Sequence, residues 1–139
     1  MERQPLEVEV VSATRVVWSG TAINVIARTV EGDIGILPGH EPLFALLVPG
    51  VVEVVTADGR SESIAVDGGF ISVAHGHVSI LSQVILLGHE VGLEEAHREA
   101  AGIATKAYQG QADDQELHRL RILKAQIRAG EAAAKQAAS

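Results

Sequence analysis

Residues 1–88 alternate apolar and polar positions with the two-residue period of β-strands. In LEVEVV, the alternation places three apolar side chains on one face: Leu6, Val8 and Val10. In TAINVIART, it predicts that another three side chains share a face: Ala22, Asn24 and Ile26. Turn signals recur about every 8–12 residues, the spacing of a β-sandwich or barrel, and no helical pattern of βαβ type separates them.

Two hairpin turns are predicted within this β region. The dipeptide Asp58-Gly59 suits a tight turn with positive φ between two strands. The sequence AHGH, residues 74–77, predicts a second turn between GFISV and VSIL. The Asp67–Gly69 segment (DGG) superficially resembles a phosphate-binding loop. Because a strand-like segment follows it instead of a helix, a turn or bulge is the preferred interpretation.

Beyond Gly88, the apolar residues recur with the spacing of an α-helix. The first helix is predicted after Gly92 and before Gly110, with its apolar face formed by Leu93, Ala96, Ala100, Ile103 or Ala104, and Ala107. Asp113 and Glu116 resemble a capping box for a second helix. Its apolar face is formed by Leu117, Leu120, Leu123 or Lys124, and Ile127. We predict two antiparallel helices of about four turns each, with the alanine-rich tail either extending the second helix or fraying.

The chain is therefore predicted to have two units, a β unit at residues 1–88 and a helical hairpin at residues 89–139. The apolar stripe of the first helix is mostly alanine, which buries little area. At about 25 cal/mol per Å² of apolar surface, such a stripe holds a helix weakly. We expect a hairpin that leaves its resting place at modest cost.

Composition excludes several functional classes. The chain of 139 residues is 47% apolar but only 3% aromatic, and it has no cysteine. Disulfides, a thiolate nucleophile and cysteine-ligated zinc are therefore excluded. A formal charge of −7 argues against nucleic-acid binding. The longest clean apolar run, Leu43–Val48, is too short to insert in a membrane, and the charged start MERQPLEVEV argues against a signal peptide, so a soluble, intracellular protein is expected.

Charge is distributed unevenly along the chain. Residues 1–88 hold four arginines against ten acidic residues, whereas the part from Glu116 onward holds five bases against two acids. The second helix is thus a basic rod on an acidic protein. It is either a solvated face or a surface for an acidic partner.

No catalytic motif is evident. His75 and His77 are one residue apart, but they fall at a predicted turn and no third metal ligand is indicated by spacing. No serine lies in a GxSxG elbow, and GDIGILPG is not a GxGxxG fingerprint. An interaction or regulatory subunit is favoured. One alternative is a stand-alone metal-dependent β-sandwich enzyme that uses His75, His77 and another histidine, and the other is a soluble adaptor.

Four segments in order resemble the epsilon subunit of the bacterial F-type, rotary ATP synthase. They are LEVEVVSATRVVWSGTA, EGDIGILPGHEPLFALLVPGVV, IAVDGGFISV and VSIL, of which GDIGILPGHEPL is the most specific. The resemblance implies a flattened β-sandwich of about ten strands followed by an antiparallel two-helix hairpin. It implies a non-catalytic place on the central stalk at the cytoplasmic face of the cell membrane. There the chain would join the gamma subunit to the c-subunit ring and couple proton translocation to ATP synthesis in the alpha and beta subunits.

The resemblance also assigns contacts by position. It implies that Glu31, Gly32 and Asp33 face the c ring and that Ser12 and His40 lie near the gamma subunit. It further implies that the hairpin can extend and block ATP hydrolysis. Four bases would then face an acidic loop of a beta subunit: Arg119, Arg121, Lys124 and Arg128.

Some relatives bind ATP through an Ile/Leu-Asp-x-x-Arg-Ala segment on the first helix and an arginine on the second. This chain reads Leu93-Glu94-Glu95-Ala96-His97-Arg98, so glutamate replaces the aspartate and histidine the arginine. The resemblance therefore raises regulatory ATP as a ligand of Glu94, His97, Arg98 and Arg119. It implies no other cofactor and no metal.

Overall fold

The computed structural model describes residues 4–138, in which ten β-strands precede two α-helices. The strands are β1 Leu6–Val11, β2 Val16–Ala22, β3 Asn24–Thr29, β4 Gly32–Ile36, β5 Leu43–Leu47, β6 Gly50–Val55, β7 Ser61–Val66, β8 Gly69–Ala74, β9 His77–Leu81 and β10 Ile85–Leu87. A 3₁₀ turn at Gly88–Glu90 leads to α1 Leu93–Tyr108 and α2 Asp114–Ala137. The ends of the two predicted units, residues 1–3 and 139, lie outside the described residues.

The strands form two layers of five. The hydrogen-bonded order is β10-β7-β6-β3-β5-β8-β9-β1-β2, with β4 on the other edge of β3. Since β3 and β5 share only the pair Thr29–Leu47, the sheet turns a corner there. Layer 1 is β10-β7-β6-β3-β4, and layer 2 is β5-β8-β9-β1-β2. All strand pairs are antiparallel except β1 with β9, which run parallel from Glu7 opposite His77.

A single apolar core fills the space between the layers. Leu6, Val8 and Val10 of β1 point into it, as their alternation predicts. The largest fully buried side chains there come from both layers: Leu6, Ile36, Ile64, Ile71 and Ile80. The predicted β-sandwich of about ten strands is confirmed.

The strand order places the connecting loops at two ends of the sandwich. The Glu31 end, as we call it, carries the β1–β2, β3–β4, β5–β6, β7–β8 and β9–β10 connections. The opposite, His40 end carries the β4–β5, β6–β7 and β8–β9 connections. Gly59 (φ +85°) and the pair His75 (φ +52°) and Gly76 (φ +77°) form the two predicted hairpin turns.

The predicted turn at Asp67–Gly69 is also confirmed, and it ties β7 to β9. The Asp67 carboxylate accepts hydrogen bonds from Ser82 Oγ (2.7 Å) and Val84 N (3.1 Å). Gly69 has φ +104°, and a Cβ there would lie 1.9 Å from the Leu81 carbonyl oxygen, so β8 can begin at this place only with glycine.

The two helices form the predicted antiparallel hairpin, but α2 alone contacts the sandwich extensively. It lies across β6 and β7 on the outer face of layer 1, and α1 packs on α2. Ala125 and Ala129 contact Ala65 and Val51. The other face of α2 packs on α1 through Leu120, Leu123 and Ile127, which meet Ala96, Ala100 and Ile103. Asp113 caps α2 through the predicted capping box with Glu116.

Two expectations from the sequence were wrong. Ala22, Asn24 and Ile26 do not share a buried face, because the chain breaks at Ile23 between β2 and β3 and the alternation changes phase. The buried side chains of β3 are Val25, Ala27 and Thr29, while Ile26 is 37% exposed on the outer face of layer 1. The second helix is longer than the predicted four turns, because the alanine-rich tail extends it, one of the two outcomes predicted for the tail, to 24 residues.

Candidate functional site

The outer face of layer 2 carries an exposed apolar row at the Glu31 end. Backbone pairing places five side chains side by side across five strands: Leu46, Phe70, Leu81, Val11 and Val16. Phe44, two residues before Leu46 on the same face, stacks on Phe70 with ring centroids 5.5 Å apart. These six residues are the apolar row.

The apolar row is bounded by polar neighbours. In the next row, Phe44 of β5 lies opposite Ser72, and the remaining positions across β8, β9, β1 and β2 are polar: Ser72, Ser79, Glu9 and Ser19. The helices do not shield it, because α2 packs on layer 1 and Phe44 is 67% exposed. Contiguous exposed apolar patches with a polar rim mark interaction sites in soluble proteins. The row is therefore a candidate docking face.

Ser12 lies beside the apolar row at the Glu31 end of the sandwich, directly after Val11. Its Oγ accepts hydrogen bonds from Thr14 N (3.4 Å) and Arg15 N (3.3 Å) and donates to the Arg15 carbonyl (3.2 Å). The side chain thus shapes the β1–β2 turn as a local ST motif. A substitution here would also change the turn beside the row.

His40 lies at the opposite end of the sandwich from Ser12. Its Nδ1 donates to the Glu41 carbonyl at 2.7 Å, which in the neutral ring leaves Nε2 as an acceptor. An open cavity of about 890 Å³ separates His40 from Glu7 and the turn His75–His77. The six-residue β1 spans about 20 Å, so the two predicted gamma contacts are not brought together. Both border layer 2.

Glu31, Gly32 and Asp33 form the β3–β4 hairpin turn and the start of β4. Thr29 Oγ1 donates to the Gly32 carbonyl (2.7 Å) and accepts from Glu31 N (3.1 Å), which fixes the turn. All three predicted residues are exposed. The structure therefore presents them together at one end of layer 1.

Asp33 is engaged within the chain. Arg28 Nε donates to its carboxylate at 2.9 Å, and this hydrogen bond and charge hold the pKa of Asp33 below its usual value. The charge of Arg128 on α2 lowers that pKa further, by a smaller effect. A cavity of about 190 Å³ lies between these groups and Glu53. The predicted ring-facing turn and the hairpin therefore share an electrostatic environment.

The four predicted bases of α2 divide into two groups. Arg119 makes a bidentate pair with Glu99 of α1, at 2.7 and 3.0 Å. The other three, Arg121, Lys124 and Arg128, line a second cavity between α2 and the sandwich. On a helix this spacing places the three on one side and Arg119 on another. In this folded hairpin, the four bases do not form one surface.

The candidate ATP residues are also separated. Glu94, His97 and Arg98 are exposed on α1. Glu94 and Arg98 lie about 140–180° around α1 from the side that packs on α2, so they point away from Arg119. Arg119 is already paired with the Glu99 carboxylate.

The histidines considered as metal ligands have other contacts. His75 lies in the β8–β9 turn, and His77 Nδ1 is 3.2 Å from a Glu7 carboxylate oxygen. Within residues 4–138, no three side chains of the metal-binding types are placed to hold one ion. Over the same residues, neither helix is long and apolar enough to cross a bilayer.

Sequence reasoning missed the apolar row, although one signal was available. The run LFALL of β5 is apolar on both faces, a pattern that indicates a strand covered on both sides. Leu43, Ala45 and Leu47 face the core, which leaves Phe44 and Leu46 without a cover. The remaining members could be found only from the strand register.

Comparison with known proteins identifies the family. Residues 5–88 match the family of the beta-sandwich domain of the ATP synthase Delta/Epsilon chain. The chain is 41% identical to the ATP synthase epsilon chain of Cutibacterium acnes, covering 98% of this chain and 99% of that one. It is 53% identical to the epsilon chain of Frankia casuarinae over 60% of this chain and 98% of that one.

Solved structures share the fold. A chain in the Euglena gracilis mitochondrial ATP synthase structure of OSCP, F1 and c-ring matches with TM-score 0.75 and 23% identity, covering 93% of this chain and 81% of that chain. A chain in the central stalk and c-ring structure from Tetrahymena thermophila matches with TM-score 0.57 and 15% identity, covering 96% and 98%. With the sandwich, the hairpin and the sequence matches, this chain belongs to the ATP synthase epsilon chain family.

Proposed function

We propose that this chain is a non-catalytic central-stalk subunit that fixes the gamma subunit to the c ring, so that proton-driven rotation reaches the alpha and beta subunits. Its place would be peripheral, at the cytoplasmic face of the bacterial membrane, as part of the complex. The family assignment and the lack of any catalytic motif in the sequence support this proposal. The observation that carries it is the apolar row, a docking face that neither the helices nor the sandwich covers.

The apolar row is proposed as the gamma-docking face. It lies on layer 2, away from the helices, and Ser12 and His40 border the same layer at its two ends. Burying the exposed part of the two stacked phenylalanines and their neighbours would contribute about 25 cal/mol per Å² to association. Aromatic residues in such a place are typical centres of binding energy.

A pull-down with the purified gamma subunit tests this proposal. The double variant Phe44→Ser/Leu46→Ser should lose most gamma binding, and because both side chains are exposed it should unfold at nearly the wild-type temperature. Tyr108→Ser is the matched control, because it removes an aromatic side chain that is 94% exposed on α1. Unchanged gamma binding by the double variant would refute the docking face.

The β3–β4 turn is proposed as the c-ring contact. Glu31 and Asp33 are exposed and acidic, so a ring loop that presents arginine or glutamine would complement them. Glu31→Gln/Asp33→Asn should weaken co-purification with the c ring and leave gamma binding unchanged. Loss of gamma binding instead would show that the two contact surfaces have been wrongly assigned.

The hairpin is proposed to inhibit ATP hydrolysis when it extends towards a beta subunit. Extension would separate the alanine seam, in which Ala125 and Ala129 of α2 contact Ala65 of layer 1, and would carry the exposed bases of α2 away from the sandwich. ATP hydrolysis by the assembled enzyme should rise when alanine replaces the four predicted bases: Arg119, Arg121, Lys124 and Arg128. Unchanged hydrolysis would remove the inhibitory role.

ATP binding stays a prediction, because Arg119 would first have to leave Glu99. A titration with millimolar ATP, followed by thermal unfolding, tests it on the isolated chain. A rise in unfolding temperature that is lost in Arg119→Gln would support binding at the predicted residues. No rise would exclude it.

A further inference from the structure

Three bases of α2 face one cavity on the folded hairpin. Arg121, Lys124 and Arg128 lie at i, i+3 and i+7 on α2, which places them on one side of the helix. Opposite them are Arg28 at the end of β3 and the β5–β6 connection Val48–Pro49. The cavity is open and has a volume of about 620 Å³, within the range of small-molecule sites.

The charge in this cavity is unbalanced. Among residues 4–138, Arg121, Lys124 and Arg128 form no hydrogen bond or ion pair, whereas Arg119 is paired with Glu99 and Lys106 with Glu116. Arg28 gives only its Nε to Asp33. Like charges this close on a helix are mildly destabilising. Four cations therefore share one cavity on a protein whose net charge is −7.

Of the residues that the structure describes, none that lines the cavity carries a carboxylate. The uncharged residues that line the cavity are all apolar and half-buried: Val48, Pro49 and Ile127. Asp33 and Glu53 lie in the neighbouring small cavity, where Asp33 pairs with Arg28 at 2.9 Å. The two carboxylates therefore partly neutralise Arg28 and Arg128, but they do not line the cavity that holds Arg121 and Lys124. Arginine and lysine together bind phosphate oxygens well, arginine through paired N–H donors and lysine as a point charge.

We propose that this cavity is a binding site for a phosphate-class anion whose organic part lies against Val48, Pro49 and Ile127. Two sources have this chemistry, a free phosphate or diphosphate compound and the headgroup of an anionic phospholipid. The site combines groups of the sandwich with groups of α2, so it is complete only while the hairpin is folded. An occupant therefore holds α2 on layer 1.

This site exists only in the folded hairpin, whereas the proposed contact with a beta subunit uses the same bases in the extended hairpin, so the two exclude each other. The proposal concerns the isolated chain, in which no other subunit is present. It differs also from the candidate ATP residues, because Glu94, His97 and Arg98 lie on α1 and do not line this cavity. Gamma binding through layer 2 should be unaffected by the cavity variant Arg121→Gln/Lys124→Gln.

The first test is a titration of the isolated chain with inorganic pyrophosphate, followed by NMR of the backbone amides. Saturable shifts are expected at Val48, Arg121 and Lys124, and added salt should weaken them. Arg121→Gln/Lys124→Gln should raise the dissociation constant at least about tenfold, the effect of losing charge-assisted hydrogen bonds. The control Arg15→Gln/Arg60→Gln removes the same charge elsewhere and should bind like wild type.

The second test distinguishes the source of the anion. Vesicles of phosphatidylcholine alone are compared with vesicles that also contain phosphatidylglycerol, by co-sedimentation of the same three proteins. Binding to the anionic vesicles that the cavity variant loses and the control retains assigns the site to a lipid headgroup. Pyrophosphate binding without vesicle binding assigns it to a free phosphate compound.

Two outcomes would overturn the proposal. One is equal behaviour of the cavity variant and the charge-matched control in both tests, which would show that only net charge matters. The other is no saturable shift with millimolar pyrophosphate together with no preference for anionic vesicles. Neither outcome would affect the pull-down with the gamma subunit, so failure of this site and failure of the proposed stalk function are distinguishable.

Discussion

The two faces of layer 1 bury side chains of different size. The inner face packs Val52, Val54 and Ile64 against layer 2, all of them at most 1% exposed. The outer face packs Ala65 against Ala125 and Ala129 of α2. The same strands thus hold a partner sheet through branched aliphatic side chains and a helix through methyl groups.

This difference shows where the molecule can separate. Burial contributes in proportion to apolar area, so the alanine seam stabilises the docked helix far less than the interior stabilises the sandwich. A weakly held hairpin stays a prediction, but the place of the weakness changes, since the sequence put it in α1. In the structure the thin contact is between α2 and layer 1, while α1 is held by the larger side chains of α2.

Truncating a buried side chain on the inner face of layer 1 should have the largest effect on the stability of the protein. Ile64→Ala removes a fully buried side chain of β7 and should lower the free energy of unfolding by about 2–5 kcal/mol. Equilibrium unfolding in urea measures it. Ile26→Ala, on the outer face, is the control and should lower the free energy of unfolding much less. Equal losses would contradict the contrast between the faces.

A larger side chain at the contact between α2 and layer 1 should release α2 and leave the sandwich folded. A Cβ at Gly88 would lie 2.5 Å from the Ala129 carbonyl oxygen and 2.9 Å from Ala133 Cβ. Gly88→Ala should therefore overpack this contact and destabilise the docked α2 by about 1–3 kcal/mol. Movement of α2 away from layer 1 would relieve the overpacking. Amide hydrogen exchange should show loss of protection in α2 and retained protection in β8 and β9.

Gly102→Ala is the matched control for that substitution. Gly102 lies in α1, and a Cβ there would have no neighbouring atom within 4 Å, so alanine should only improve helix propensity, by about 1 kcal/mol. If both variants left the protection of α2 unchanged, the close approach at Gly88 would not hold the hairpin.

Removing the polar clamp at the end of α2 should have a smaller effect. The Gln136 amide accepts from Ser61 N (2.9 Å) and donates to the Ser61 carbonyl (2.8 Å), and so covers the edge of β7 beyond β10. Gln136→Ala should cost about 1 kcal/mol and raise amide exchange at Ser61. Glu131→Ala, at an exposed position earlier on the same helix, is the control and should not change exchange at Ser61.

The smallest effect is expected between the helices. Arg119 holds the pKa of Glu99 below the usual value of 4.5, mainly through their hydrogen bond. Because the folded pKa is lowered, the stability from this pair is complete above that value and is lost as the pH falls through the lowered pKa. An exposed pair contributes about 0.2–1 kcal/mol.

Far-UV circular dichroism melts on acidification measure this contribution. Glu99→Gln should unfold at a lower temperature than wild type near neutral pH, and the difference should shrink on acidification. Glu95→Gln, on the same helix, is the control and should show no such convergence. A pH-independent difference would assign the effect of Glu99→Gln to packing.

Local patterns predicted much of the fold. The alternation in LEVEVV, the glycines at the turns and the Asp113–Glu116 capping box act over a few residues, and all three were interpreted correctly. The β3 face was wrong because a single residue, Ile23, breaks the strand and shifts the phase. A period-two pattern cannot show where one strand ends and the next begins.

The candidate surfaces were less predictable, because they depend on strand register. Phe70 and Leu81 become neighbours through the β8–β9 pairing, and Leu81 meets Val11 only through the parallel pairing of β9 with β1. Nothing local in the sequence indicates that Arg28 faces Arg121 and Lys124. The family resemblance supplied single contact residues, while the folded chain shows how they are grouped.

The parallel pairing of β1 with β9 also constrains the order of folding. Strand β1 lies between β2, the next strand in the sequence, and β9, which begins only at His77. During synthesis, a nascent chain that has reached only β8 still lacks one neighbour of its first strand. Closing so long a loop carries an entropic cost before any contact is gained, so layer 2 is completed only after Leu81 has left the ribosome.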